Sequence, residues 1–71
     1  ITPSQAVVYW LAESTINGVR IAGQQSRVML NGRSYRLGET VNFELGIVVR
    51  AIQENRVLFE DARGARYVKH F

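Results

Sequence analysis

The side chains with the clearest binding chemistry gather around one predicted turn, Asn31–Gly32. Arg27, Arg33, Tyr35 and Arg36 lie within ten residues of one another on either side of it. Arginine and tyrosine often carry a large share of the binding energy when they are buried at a protein interface. We therefore predict that these four residues form a partner-binding surface. The alternative is an ordinary hairpin whose charged side chains are only solvated.

Catalytic and metal-binding chemistry has little support in the residue types. The chain has no cysteine and a single histidine, His70, so it lacks a thiolate site and a second imidazole ligand. No serine stands in a nucleophile-elbow pattern. The acidic pairs Glu39/Glu44 and Glu60/Asp61 have no neighbour that would prepare one of them for general-acid work. We predict a protein that is not an enzyme and uses no metal, cofactor or small-molecule substrate.

The charge balance raises nucleic-acid binding as a second possible function. Nine basic residues, eight of them arginine, stand against six acidic residues, and the net charge is +3. Tyr35 and Tyr67 each adjoin an arginine, an arrangement that OB-type barrels use to hold single strands. The arginines are nevertheless spread along the chain without a run of like charge, which favours a solvated surface over a phosphate-tracking patch. Nucleic acid is therefore disfavoured, and a steep salt dependence of binding would reveal it.

The elements that position these residues belong to one small domain. The chain has 71 residues, of which 46% are hydrophobic and 21% charged, as in an average soluble domain. A domain of this size has little room for a ligand cavity. Residues 1–14 form a distinct N-terminal segment, in which Thr2–Gln5 fits a capping box and predicts a helix from about Pro3 to Ala12. An extended segment is the alternative, because Val7–Trp10 are β-branched or aromatic.

Residues 15–71 have the pattern of strands and turns. Asn31–Gly32 is a strong hairpin signal, because both residues tolerate the positive φ of a type I′ turn. With turn signals every eight to twelve residues, the spacing predicts a mostly β domain, a small SH3-like barrel of about five short antiparallel strands. The buried face of residues 47–52 stays open, because burying both Ile47 and Ile52 requires a bulge or a bend.

Most of this region resembles a known family. The resemblance rests on three segments: Ser26–Glu39, with its Asn-Gly turn and Gly-acid loop, then Gly46–Ile52 and Arg56–Phe59. Their order resembles that in the small periplasmic β-domains of type II secretion inner-membrane components, and of the lipoprotein that docks on the secretin in type IV pilus assembly. The resemblance covers residues 19–68. Glu39 stands where the family has aspartate, and residues 40–46 form a longer connection than the family has.

The resemblance implies a non-enzymatic adaptor domain of a bacterial envelope secretion or type IV pilus assembly system. Such a domain would present a strand edge and a charged surface to a partner protein. It also implies a periplasmic location, with a tether upstream of Ile1 in a longer parent protein. The longest apolar run, residues 6–12, is shorter than the ~20 residues that cross a bilayer, so no membrane span is expected within these residues. A structural domain without a binding role is the remaining alternative.

Overall fold

The structure, a computed structural model, describes residues 2–71. It contains one α-helix and a short 3-10 turn at Gly23–Gln25, together with strands that follow one another along the chain. In chain order the elements are α1 (Gln5–Glu13), β1 (Ile16–Arg20), β2 (Arg27–Leu30), β3 (Arg33–Arg36), β4 (Thr40–Asn42), β5 (Ile47–Ile52), β6 (Arg56–Glu60) and β7 (Arg66–His70).

Helix α1 confirms the helical alternative for the N-terminal segment but starts later than predicted. Ser4 is its N-cap, with an extended backbone, and the Ser4 carbonyl accepts the first helical hydrogen bond from the Val8 amide at 3.0 Å. The predicted capping by Thr2 is therefore wrong. Helical spacing outweighs the β propensity of this segment, because Val7 and Leu11 lie one turn apart and both are buried in the core.

The strands form two antiparallel sheets rather than one closed barrel. One sheet has the order β1-β2-β3 and the other β4-β5-β6-β7. The mostly β prediction is confirmed, but the strands described in residues 2–71 number seven instead of about five. Thr40–Asn42 is only three residues long, too short for a strand pattern to show in the sequence. Next to it, Val49 on β5 is bonded to the connection between β3 and β4, because it accepts a hydrogen bond from the Gly38 amide and donates one to the Glu39 carbonyl.

The core lies between the two sheets and the inner side of α1. Its largest fully buried side chains come from all three: Val7, Val28, Leu30, Ile47, Val49, Val57 and Phe59. The face of β5 is settled by a bulge between Val49 and Ala51. Because of it, Ile47 is buried and Ile52 also packs against the core.

The predicted hairpin is present and its tip is braced. Asn31 and Gly32 have φ values of 52° and 81°, as a type I′ turn requires. The Asn31 side chain accepts a hydrogen bond from the Thr15 amide at 2.8 Å, and the Gly32 amide donates to Asn17 Oδ1 at 2.9 Å. The turn is therefore held against Thr15, which connects α1 to β1, and against Asn17 at the start of β1.

Candidate functional site

Strand register brings three arginines into one row across the first sheet. Arg27 on β2 lies directly opposite Arg20 on β1 and directly opposite Arg36 on β3. All three residues are exposed. Residues that face one another in this way have Cβ atoms about 4.5–5.5 Å apart. We call Arg20, Arg27 and Arg36 the arginine row.

The row lies on the outer face of its sheet, beside a shallow depression. Val28 and Leu30 point into the core, so the alternating Arg27 and Met29 point away from it. The depression has a volume of about 300 Å³ and is lined by Gly18, Val19, Arg20, Arg27, Met29 and Ser34. Met29 is 40% exposed, and the space above Gly18 is open. We call this surface, with the arginine row, the arginine face.

Little negative charge within the chain balances the row. Glu39 Oε1 lies 3.6 Å from Arg36 Nε and accepts a hydrogen bond from the Arg36 amide at 2.7 Å. Among residues 2–71, the Arg27 guanidinium forms one side-chain hydrogen bond, from Nη1 to the Ser34 hydroxyl at 3.4 Å. Within residues 2–71, neither Arg20 nor Arg27 forms an ion pair with a carboxylate. Positive charge at the β1 and β2 positions is therefore available to an acidic ligand.

On the outer face of the second sheet, two arginines are paired with the same carboxylate. Arg50 Nε lies 3.5 Å from Glu60 Oε1, and Arg66 Nε lies 4.0 Å from Glu60 Oε2. Glu60 thus pairs with two arginines, and its side chain is only 18% exposed. Arg56 on β6 donates to Gln53 Oε1 and forms no ion pair within residues 2–71, but its partner across the sheet is His70. The arginine face is therefore distinguished by its row of directly opposed arginines.

The four residues predicted to form a binding surface do not share one face. Arg27 and Arg36 lie on the arginine face, whereas Tyr35 lies opposite buried Val28 and packs against the core. Arg33 is exposed, but side chains alternate along a strand, so Arg33 and Tyr35 lie on the same side of β3 and Arg36 on the other. Arg20 was not predicted.

Turn chemistry alone determines only half of the row. A two-residue turn at Asn31–Gly32 places Arg27 opposite Arg36, which can be counted from the sequence. Placing Arg20 opposite Arg27 depends on the register of β1, which shifts between Ile16 and Gly18. No sequence signal singles out that shift.

The tyrosines that suggested base stacking are used inside the fold. Tyr67 is 8% exposed; its hydroxyl donates to Asp61 Oδ2 at 2.7 Å and accepts a hydrogen bond from the Ser4 amide at 2.9 Å. Tyr35 and Trp10 pack against the core. These three aromatic side chains therefore do not form a stacking platform beside the arginine row.

The carboxylate of Asp61 is held ionised by its hydrogen bonds. The Tyr67 hydroxyl is the main cause that lowers the pKa of Asp61 below its usual value. The amides of Ala65 and Arg63, both bonded to Oδ1, and the Arg63 charge act in the same direction, whereas burial opposes them. Asp61 is thus an anchor for the last turn and for the N-terminal segment, and it is poorly suited to act as a general acid.

Two other features are absent from the part of the chain that the structure describes. From Thr2 to Phe71, no cluster of three or more histidine, cysteine or acidic residues is placed to hold a metal ion. In that range, no helix has the length and apolar character to span a membrane. The chain matches no protein-family model, no curated protein and no solved structure. The arginine face is therefore the candidate site on its geometry and charge alone.

Proposed function

We propose that this chain is a protein-interaction domain without catalytic activity, and that it binds an acidic surface of a partner protein through the arginine face. The observation that carries the proposal is the direct opposition of Arg20, Arg27 and Arg36. Like charges directly opposite each other in a sheet destabilise it by a few tenths of a kcal/mol to ~1 kcal/mol per pair. Carboxylates of a bound partner would relieve this repulsion, so the row favours the bound state.

The composition of the face suits a protein better than a nucleic acid. Met29 lies among the arginines and offers an adaptable apolar contact, and both residue types are enriched at protein interfaces. Single-stranded nucleic acid is usually held by stacking on aromatic rings, but Tyr35 packs inside the fold.

The family resemblance supports a cellular setting for this domain. On that basis we propose an adaptor role in a bacterial envelope secretion or type IV pilus assembly system, in the periplasm. An SH3-like arrangement of the two sheets belongs to the same proposal. It is supported by the backbone hydrogen bonds that tie Gly38 and Glu39, after β3, to Val49 on β5.

Photo-cross-linking in cells tests the arginine face. A photoreactive amino acid is introduced in place of Met29, and in place of Glu54, an exposed residue in the turn between β5 and β6, as the matched position. We expect a defined protein adduct from position 29, absent from position 54 and lost when Arg27→Glu is added. The adducts are identified by mass spectrometry after digestion.

One further variant determines which surface is used. Arg33→Glu makes the same charge change on the other side of β3, and we expect the adduct from position 29 to persist. If Arg33→Glu removes the adduct and Arg27→Glu does not, binding uses the side of the hairpin that carries Arg33. An adduct that disappears on nuclease treatment would establish the nucleic-acid alternative instead.

A further inference from the structure

Strand β7 has an open edge, and two hydrogen bonds show which of its residues direct their backbone groups toward that edge. The Phe71 amide donates to the Asn55 carbonyl at 3.0 Å, and the Asp61 amide donates to the Ala65 carbonyl at 2.9 Å. In an antiparallel ladder, every second residue bonds to the neighbouring strand. The backbone groups of Tyr67 and Lys69 therefore bond to β6. Those of Arg66, Val68 and His70 point away from β6, toward the open edge.

No other strand edge in residues 2–71 offers an equivalent row of free backbone groups. Glu39 covers the β3 edge at Arg36. Its carboxylate accepts a hydrogen bond from the Arg36 amide, and its own amide donates one to the Arg36 carbonyl. Strand β4 has only three residues, and a register shift between Ile16 and Gly18 interrupts β1. Proteins commonly protect edges by such devices. Strand β7 has five residues that pair with β6 in continuous register.

A groove of about 330 Å³ runs along this edge, between β7 and helix α1. Val8, Leu11 and Ala12 line it on the helix side, and residues 67–70 on the strand side. Neighbours from both faces of β7 take part, so the groove follows the edge of the sheet. Val8 is 41% and Val68 51% exposed, which leaves apolar surface on both walls.

The lining indicates what the groove takes. Of the titratable side chains along it, Lys69 and His70 are basic, and the Tyr67 hydroxyl is already bonded to Asp61. The helix wall is apolar. A groove between a strand edge and a helix holds extended peptides in PDZ and PTB domains, where main-chain hydrogen bonds give affinity. We propose that β7 accepts an extended segment of a partner protein as an added strand, and that this segment alternates acidic with apolar residues. This inference rests on the proposed function in its general form, protein binding, but uses a surface separate from the arginine face.

Peptide selection followed by a backbone variant tests this site. Random ten-residue peptides displayed on phage are selected on the wild-type chain, and the strongest binders are synthesised with a fluorescent label for anisotropy measurements. We expect the selected sequences to alternate apolar and acidic residues. Val68→Pro removes an edge amide that β6 does not use, and should weaken binding about tenfold or more. The matched variant Val68→Thr keeps that amide and the β-branched shape, and should bind within about twofold of wild type.

Methylated peptides keep the test decisive if Val68→Pro fails to fold. N-methylation of every second residue blocks one edge of an added strand, so one of the two alternating sets should abolish binding and the other should not. Equal binding of both sets would overturn the inference, and so would a selection that yields no binder. If Arg27→Glu removes peptide binding and Val68→Pro does not, the peptides use the arginine face; the groove proposal is then wrong while the proposed function stands. Failure of the cross-link from position 29 would count against the proposed function alone.

Discussion

The hydroxyl of Tyr67 donates a 2.7 Å hydrogen bond to Oδ2 of Asp61, and both side chains are buried. The same hydroxyl accepts a hydrogen bond from the Ser4 amide, and Arg63 Nη2 donates one to the Thr2 carbonyl at 2.6 Å. The Asp61–Tyr67 pair thus joins the last turn of the second sheet to the start of α1. Helix α1, which forms one wall of the groove beside β7, is therefore held at its start by a hydrogen-bonded buried carboxylate, in addition to the core packing of Val7 and Leu11.

Acid should loosen this junction. The pKa of Asp61 is lowered in the folded state, so its contribution to stability is present above the unfolded pKa of about 3.9 and is lost as the pH falls through the lower folded pKa. Tyr67→Phe removes the largest cause of that shift. We expect this variant to be less stable than wild type at pH 7, with the difference shrinking toward pH 2. Thermal unfolding followed by circular dichroism at several pH values measures it.

Asp61→Asn is the matched control for the acid effect. It keeps an acceptor oxygen for the backbone amides but cannot ionise. The difference in stability between Asp61→Asn and wild type should therefore also shrink as the pH falls. A gap that stays constant from pH 7 to pH 2 for both variants would show that Asp61 has the same pKa in the folded and unfolded states.

Two glycine-to-alanine changes should differ sharply in cost. At Gly46 the φ is 67°, and an added Cβ would lie 2.7 Å from the Cβ of Ala62. At Gly18 an added Cβ meets nothing within 4 Å. We expect Gly46→Ala to lower the free energy of unfolding by about 2 kcal/mol or more, and Gly18→Ala to change it by less than about 1 kcal/mol. Urea denaturation of both variants checks this, and equal values would mean that the β4–β5 turn does not approach Ala62.

Local rules predicted those parts of the fold that depend on neighbouring residues. The turn at Asn31–Gly32 follows from φ preferences alone. Helix α1 was predicted from a capping box at Thr2–Gln5; the helix is present, but its N-cap is Ser4 rather than Thr2. The division into two sheets and the register of β1 depend on bulges and on contacts distant in the chain, which turn chemistry does not encode. For the candidate site the same limit applies: Arg27 and Arg36 were predicted, whereas Arg20 joins them only through the register of β1.

The arginine row should cost the isolated domain some stability. Arg27→Glu places a carboxylate between Arg20 and Arg36, which replaces two like-charge pairs by two opposite-charge pairs. We expect the free energy of unfolding to rise by about 0.5–1 kcal/mol at low salt, although partner binding is lost. The gain should shrink at high salt, because exposed charges are screened. Urea denaturation at two salt concentrations measures both effects, and a loss of stability would show that the three side chains do not lie close together.

Proline at two neighbouring positions of β7 should cost different amounts of stability, because one amide bonds to β6 and the other lies on the open edge. Lys69 lies opposite Val57 at a position where the backbone bonds to β6, and Val68 lies opposite Leu58 with its amide on the open side. Lys69→Pro removes a ladder hydrogen bond and forces the ring against β6, so we expect a loss of about 2 kcal/mol or more in the free energy of unfolding. Val68→Pro removes no ladder bond, and proline is tolerated on edge strands, so we expect a cost of about 1 kcal/mol or less. Urea denaturation of the two variants provides the comparison. If Val68→Pro is the more damaging change, the ladder has the opposite phase, the free amides belong to Tyr67 and Lys69, and an added strand would face the other set of side chains.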